Sequence, residues 1–369
     1  MNMNNKNILF VGSFSEKTKY KHVGGVMFAC DTLINALKND FNWVLIDSTA
    51  STNKHRGMWE RSINAVKRIY KLIKHLILSK IDIVILFSAD GFSFVEKGVM
   101  ALLSKLFRKK VIFASRSGFL LDDVSSSLFF RKWVKFVLSK VDIVLCQSEF
   151  WKEFFLDLVG DENINKYAVI HNWIDSNLYF NNRSAYIERA PEKTINILFL
   201  GWVTRNKGIF DIIEAADKLR NNKIKFIIAG DGDAFKEIVE IVERKELTHM
   251  FDFRGWVKGS DKLELFKESD IYILASYKEG YPNALMEAMA SSLPVISSKV
   301  GSTPDLIQNN VNGYLFQAGN INQLAEKILV LVQDRDERKR IANNAKERIA
   351  NNNTIEIGSH KFKRLLKSL

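Results

Sequence analysis

The chain has 369 residues, 47% of them hydrophobic and 26% charged. That composition excludes a mainly disordered chain and, at roughly 100–200 residues per domain, favours two domains over one. Four prolines and 19 glycines exclude a collagen-like or linker-dominated architecture, and two cysteines, Cys30 and Cys146, can build neither a disulfide framework nor a thiolate metal site. The apolar run Ile8–Val11 is too short for a signal peptide, and nothing approaches the roughly 18 apolar residues of a spanning helix, so a cytoplasmic, reducing setting is expected. The excess of 54 Lys and Arg over 42 Asp and Glu, formally +12, favours an anionic partner: nucleic acid, a lipid surface or a phosphorylated small molecule. It is concentrated in residues 1–185, where 26 basic and 17 acidic residues leave +9.

Short β-branched runs alternate with amphipathic stretches from end to end. In the first half, strands are expected near Ile8–Val11, Trp43–Asp47, Ile81–Phe87, Lys110–Ala114, Val141–Cys146 and Tyr167–Ile170. Helices such as Gly25–Leu37, Arg61–Leu78 and Phe92–Leu106 separate them. Runs like IDIVILF and VDIVLC are apolar on both faces, as parallel strands covered by helices on both sides are. The polar, unpatterned stretch Asn181–Lys193 is the natural linker. The alternation then restarts, with strands near Ile195–Leu200, Lys225–Ala229, Met250–Phe253, Ile271–Leu274, Val295–Ser297 and Tyr314–Phe316. Helices between them include Gly208–Arg220 and Ala234–Lys245. Two successive βαβ arrays imply an α/β protein of two Rossmann-like, doubly wound domains, residues 1–185 and 186–353, with a cleft between them. Residues 354–369 read as a basic amphipathic helix packing back on the first domain.

Ligands of such sheets sit beyond the carboxyl ends of the strands. The segment SYKEGYPNALMEAMASSLPV, Ser276–Val295, lies there. Asn283 after Pro282 is a candidate helix N-cap, and Gly280 would let the backbone approach a ligand closely. The N–H groups of Ala284, Leu285 and Met286 would then form an anion site suited to a diphosphate. Glu279 and Glu287 flank it, and carboxylates accept bidentate hydrogen bonds from vicinal sugar hydroxyls. Read by itself, the same pattern also fits a capped helix with two surface glutamates.

The pattern Glu279-x7-Glu287 inside EGYPNALMEAMASSLPVI resembles the retaining GT-B glycosyltransferases of the large GT4 family. Gly24-Gly25-Val26, VIHNWID (Val169–Asp175), LFLGWVTRNKGI (Leu198–Ile209), AGDGD (Ala229–Asp233) and FRGWV (Phe253–Val257) agree, in the expected order. The resemblance covers nearly the whole chain and implies the GT-B fold. It implies transfer of a hexose or N-acetylhexosamine from a nucleotide diphosphate sugar, UDP favoured as the commonest donor, to an acceptor hydroxyl with retention of configuration. By the same resemblance Glu279 binds the donor sugar, Glu287 the ribose, and Lys207 with Arg205 the diphosphate. Asn283, Ala284 and Leu285 begin the helix beneath it, the backbone at Trp256-Val257 meets the base, and Gly25 lets its loop close on the phosphates. The donor is a substrate; no cofactor or metal is implied.

Two departures stand out. Relatives often carry Arg directly after the glycine that ends the seventh strand, whereas Gly201 is followed by Trp202, so Arg205 would substitute. Relatives often carry His-Gly after the fourth strand, whereas FASRSGFLLDD places Arg116 and Ser117 there. Arg116 is then a catalytic candidate, or a salt-bridge partner of Asp122 or Asp123.

Other signals carry less. Asp231-Gly232-Asp233 has the form of a metal-binding Asp-x-Asp but follows a strand as the family's AGDG does. The six histidines show no zinc spacing, Ser-His-Asp catalysis has no nucleophile elbow, Cys146 reads as core, and VGSFSE is not a dinucleotide fingerprint.

In Arg61–Lys80, Ile63, Val66, Tyr70, Ile73 and Ile77 share one face, with Lys67, Arg68, Lys71, Lys74 and His75 elsewhere. Leu128–Lys140 adds Phe129, Trp133 and Phe136 beside four cations. These helices either cover the first sheet or lie on an anionic bilayer. Bacterial enzymes of the resembled family build surface polysaccharide on glycan or lipid-linked acceptors, which would suit peripheral contact with the inner face of the membrane. The alternatives are a GT-B nucleotide-sugar epimerase and a non-enzymatic membrane- or nucleic-acid-binding protein. Nucleic acid is not the expected partner, because it leaves Glu279, Glu287 and Lys207 without a purpose.

Overall fold

A computed structural model of the chain describes residues 6–14, 25–49, 57–160, 163–180 and 194–369. Gly24 and the expected linker 181–193 lie outside these. The chain divides into two units, residues 1–172 with 355–369, and residues 173–354.

The first unit is built on six strands: β1 (Asn7–Gly12), β2 (Asn42–Asp47), β3 (Ile83–Ser88), β4 (Lys110–Ser115), β5 (Ile143–Cys146) and β6 (Tyr167–Val169). Their order is β2-β1-β3-β4-β5-β6 and every pair is parallel. All six residues of β3 are buried, the outcome of a run apolar on both faces. Local chemistry sets the helix ends. In Glu149–Val159, the Ser148 hydroxyl accepts from the Trp151 N–H at 3.3 Å, and Gly160, at φ 65°, closes the last turn in the left-handed conformation.

The second unit holds β7 (Ile195–Leu200), β8 (Ile224–Ala229), β9 (Phe251–Gly255), β10 (Ile271–Leu274), β11 (Val295–Ser298) and β12 (Tyr314–Phe316). They run β12-β11-β10-β7-β8-β9, again all parallel. Separate clusters of buried side chains cover its two faces, one around Phe199, Phe226 and Ile273, the other around Tyr272, Leu285 and Met289.

The unit boundary falls at Asn172/Trp173, earlier than the polar stretch after residue 180 suggests. Apolar packing explains it: Ile174 and Tyr179 belong to the core of the second unit, and Ile174 bridges Thr354 as a short parallel pair. The helix Ile355–Ser368 belongs to the first unit, where it packs against Gly25–Leu37 with Phe362 and Leu366 buried. No helix among the described residues is long and apolar enough to cross a membrane.

Candidate functional site

In the second sheet the strand order reverses between β7 and β10, which lie side by side, so the loops leaving their carboxyl ends flank a topological switch point. After β7 the chain makes a 3₁₀ turn over Arg205–Lys207, ended by Gly208 at φ 66°. A Cβ on Gly208 would lie 2.0 Å from the Ala275 carbonyl oxygen, so only glycine lets this turn press against the end of β10. The Tyr277 N–H donates to the Asn206 carbonyl at 2.8 Å, tying the two loops together. The consequence is chemical. Lys207 Nζ reaches Glu279 Oε1 at 2.7 Å, and the same oxygen accepts from Ser276 Oγ at 2.6 Å.

Glu279 is buried, and these two donors satisfy the oxygen it turns inward. The loop that carries it is fastened from below. Ser298 Oγ donates to the Ser276 carbonyl and Ser302 Oγ to the Gly280 carbonyl. Gly301, at φ 50°, approaches so closely that a Cβ there would sit 2.0 Å from the Glu279 carbonyl oxygen. The Lys207 side chain is 26% exposed, and an ammonium has three N–H donors, so it keeps capacity for an anion after serving Glu279.

The helix that follows this loop runs Asn283–Ala290. Asn283 is its first residue, not its cap: Pro282 occupies the cap position and offers no side-chain acceptor. The Met286 N–H, expected to be free, donates to the Pro282 carbonyl at 3.3 Å and opens the helical ladder. Ala284 and Leu285 remain as the first-turn residues whose N–H groups no capping side chain covers, and the positive end of the helix dipole lies there. Glu287 follows one turn on and pairs with Lys262 at 2.8 Å. Tyr179 stands beside both. Burial, then the charge and hydrogen bond of Glu287, push its phenol well above the usual range, and Lys262 Nζ lies 5.6 Å from its ring centre. Sequence reading misses Lys262 and Tyr179, since both come from other elements and neither belongs to a local motif.

Trp256, after β9, meets Trp202, after β7, with ring centres 5.0 Å apart and a tilt of 46°. Both indoles are partly exposed. The Trp that replaces the family's arginine thus joins the loop expected to meet the base, while Val257 packs against the core beneath. Arg205 does not join the Lys207–Glu279 group. Two residues earlier on a tight turn it points elsewhere, pairing with Glu237 and lying 4.4 Å from the centre of the Phe210 ring. Asp231 is turned on its own loop, accepting from the Gly232 N–H at 2.8 Å.

The remaining candidates lie in the first unit. Gly25 opens the helix Gly25–Leu37. Arg116 follows β4 and is buried, stacked 4.1 Å from the centre of Phe87. Nη1 donates to Asn172 Oδ1 at 2.8 Å, which also accepts from Gln147 Nε2 at 3.0 Å. Nε and Nη2 have no partner, nor has Gln147 Oε1. The expected bridge to Asp122 or Asp123 is not formed; Asp123 instead accepts from the Gly91 N–H at 2.7 Å. Loss of hydration brings the guanidinium down to about 10, so it stays charged at neutral pH without a carboxylate.

Residues 182–348 match the family of glycosyl transferases group 1. An uncharacterized glycosyltransferase of Methanocaldococcus jannaschii is 27% identical over 346 residues, 89% of this chain and 90% of that one. Sucrose-phosphate synthase from Thermosynechococcus elongatus superposes with a TM-score of 0.80 over 99% of both chains at 15% identity. Anabaena HepE, solved in complex with UDP-glucose, gives 0.74 at 18% identity over 98% of this chain and 100% of its own. The match to glycosyl transferases group 1 spans residues 182–348, and the chain carries the GT-B fold.

Proposed function

We propose that the protein transfers a hexose or N-acetylhexosamine from a UDP-sugar to a hydroxyl of a glycan or lipid-linked acceptor, with retention of configuration, in the building of a surface polysaccharide. The observation that carries this reading is the Lys207–Glu279 pair on the loop that leads into the uncapped start of the helix Asn283–Ala290. Cleaving a sugar from a nucleoside diphosphate places negative charge on the leaving phosphate. Lys207 and the helix start supply a fixed positive field for it without a metal. Glu279, buried and held by Ser276, accepts from sugar hydroxyls, and Glu287 with Lys262 takes the ribose. Trp256 and Trp202 offer partly exposed indole faces for the base to stack on, and HepE, which shares the fold, was solved with UDP-glucose. In the transfer, the bond from the anomeric carbon to the phosphate oxygen breaks as the acceptor oxygen bonds the same face. The departing phosphate takes the acceptor's proton, so no side-chain base is assigned. Arg116, charged and with unused donors, is the first unit's candidate for binding an anionic group of the acceptor.

Thermal-shift measurements against UDP, GDP, ADP and dTDP sugars test the donor. At a hundred times its dissociation constant, the true donor should stabilise the protein by about 2.7 kcal/mol. Product formed with that donor in excess EDTA should show the donor's anomeric configuration by proton NMR coupling. Stabilisation by none of these nucleotides, or an inverted product, overturns the reading. Loss of transfer in EDTA, restored by Mn²⁺ or Mg²⁺, removes its metal-free part.

A further inference from the structure

The helix Met58–Leu78 carries two apolar faces. Ala65, Leu72 and Leu76 turn inward and are buried. Arg68 fixes that orientation by gripping Glu96, on the helix Gly91–Leu106, with hydrogen bonds of 2.6 and 3.0 Å. The other face is exposed: Trp59 at 84%, Ile63 at 52%, Val66 at 65%, Tyr70 at 68% and Ile77 at 62%. Spacings of four, three, four and seven residues line these side chains along one stripe. Lys67, Lys71 and Lys74 are exposed beside it.

A second helix repeats the pattern. Gly91–Leu106 packs against both Met58–Leu78 and Leu128–Lys140, so the three belong to one layer of the first unit. Leu128 and Phe129 are exposed there, with Arg131, Lys132, Lys135 and Lys140 around them and no acidic residue in the helix. Trp133 does not share that exposure. It packs on Gly98, where a Cβ would come within 3.0 Å of its ring, so it anchors the helix while Phe129 and Phe136 are the aromatics left outside.

Solvent-facing rows of this size mark an interaction surface. Three occupants suit an apolar row edged with cations. A second copy of the chain would set these lysines and arginines against their own equivalents, which repel. Nucleic acid would use the cations but has no use for Ile63, Val66 and Ile77. A bilayer with anionic headgroups uses both, taking the side chains of the stripe at the headgroup–acyl boundary and the ammonium groups among the phosphates. We propose that the outer faces of Met58–Leu78 and Leu128–Lys140 dock this protein on an anionic membrane surface. The surface goes beyond the glycosyl-transfer chemistry and rests on different residues.

Co-sedimentation of the full chain with phosphatidylcholine vesicles, with and without phosphatidylglycerol, tests it. The wild type should bind the phosphatidylglycerol vesicles at low salt. It should leave them at 1 M salt, where the Debye length falls to about 3 Å from about 10 Å at 0.1 M. Two triple variants divide the contributions: K67E/K71E/K74E, and Ile63→Ser with Val66→Ser and Tyr70→Ser. Every side chain changed is exposed, so circular dichroism and Tm should match wild type, and each variant should bind about tenfold less or weaker still. A wild type that stays in the supernatant, or wild-type binding by either folded variant, overturns the proposal. So does a wild-type dimer in sedimentation equilibrium that the serine variant breaks while no vesicle is bound, because a second copy would then own the face.

Discussion

The two sheets are wound alike, yet their strand-end polar groups are finished in opposite ways. In the second unit the loops after β7, β10 and β11 are locked on one another by Gly208, Gly301 and the buried hydroxyls of Ser298 and Ser302. Each of its two motif carboxylates already has a lysine, Lys207 for Glu279 and Lys262 for Glu287. In the first unit the cation beyond β4, Arg116, has one neutral partner and two nitrogens with none. One unit therefore carries a preassembled polar site, which loses little on meeting a ligand of fixed shape such as a nucleotide. The other keeps donors in reserve. Elsewhere the first unit does pair its buried charges: Glu96, among the helices, holds both Arg68 and Lys97.

That contrast can be broken most forcefully at Glu96. Glu96→Ala leaves Lys97 buried without a counter-charge and should cost about 3–5 kcal/mol in urea denaturation. A loss below about 1 kcal/mol would mean that the buried charges of the first unit do not depend on pairing. Burial alone would raise the Glu96 carboxyl, but its hydrogen bond from Arg68 and the charge of Lys97 outweigh that and hold it below the ordinary range. This stability is therefore complete above the unfolded value near about 4.3 and is lost as pH falls through the lower folded value.

The next largest effect belongs to the preassembled site. Lys207→Ala should weaken binding of the nucleoside diphosphate by about 1.5–3 kcal/mol in calorimetry, the worth of a charged hydrogen bond. Unchanged affinity would remove Lys207 from the anion site. Arg116→Met sharpens the comparison from the other side. Replacing a buried, half-satisfied cation by an apolar chain should leave folding stability unchanged or raise it by about 1 kcal/mol, while turnover collapses. A destabilised variant with normal turnover would make Arg116 structural. The smallest change is expected at Arg205→Ala, whose exposed pair with Glu237 contributes about 0–1 kcal/mol and whose loss should shift nucleotide affinity only slightly. A Lys207-sized loss there would restore the diphosphate role that the motif suggests.

The twelve strands among the described residues are readable from sequence, most plainly the central ones such as β3, which are continuous apolar runs. What escaped depends on partners far away in the chain. Asn283 is a better N-cap by preference than Pro282, yet the backbone turns one residue earlier and leaves the asparagine inside the helix. Trp173–Phe180 gives no sign that Ile174 and Tyr179 will join the second core. Periodicity finds the stripe Ile63, Val66, Tyr70 and Ile77, but the opposite face, with Ala65, Leu72 and Leu76, is apolar enough to take the inward side. The burial of Ala65, Leu72 and Leu76, with the grip of Arg68 on Glu96, shows which face won. Lys207 and Glu279 were legible as motif residues, whereas Lys262 and Tyr179 became visible only when separate elements met around Glu287.

The division of labour between the two carboxylates is the centre of this account, and calorimetric titration of UDP and of the donor sugar nucleotide into two variants tests it most directly. Glu287→Ala should weaken both ligands by about 1.5–3 kcal/mol, because each carries the ribose. Glu279→Ala should leave UDP binding nearly intact and weaken only the intact donor. Equal losses of UDP affinity in both variants, or a UDP affinity that neither variant alters, would contradict the assignment.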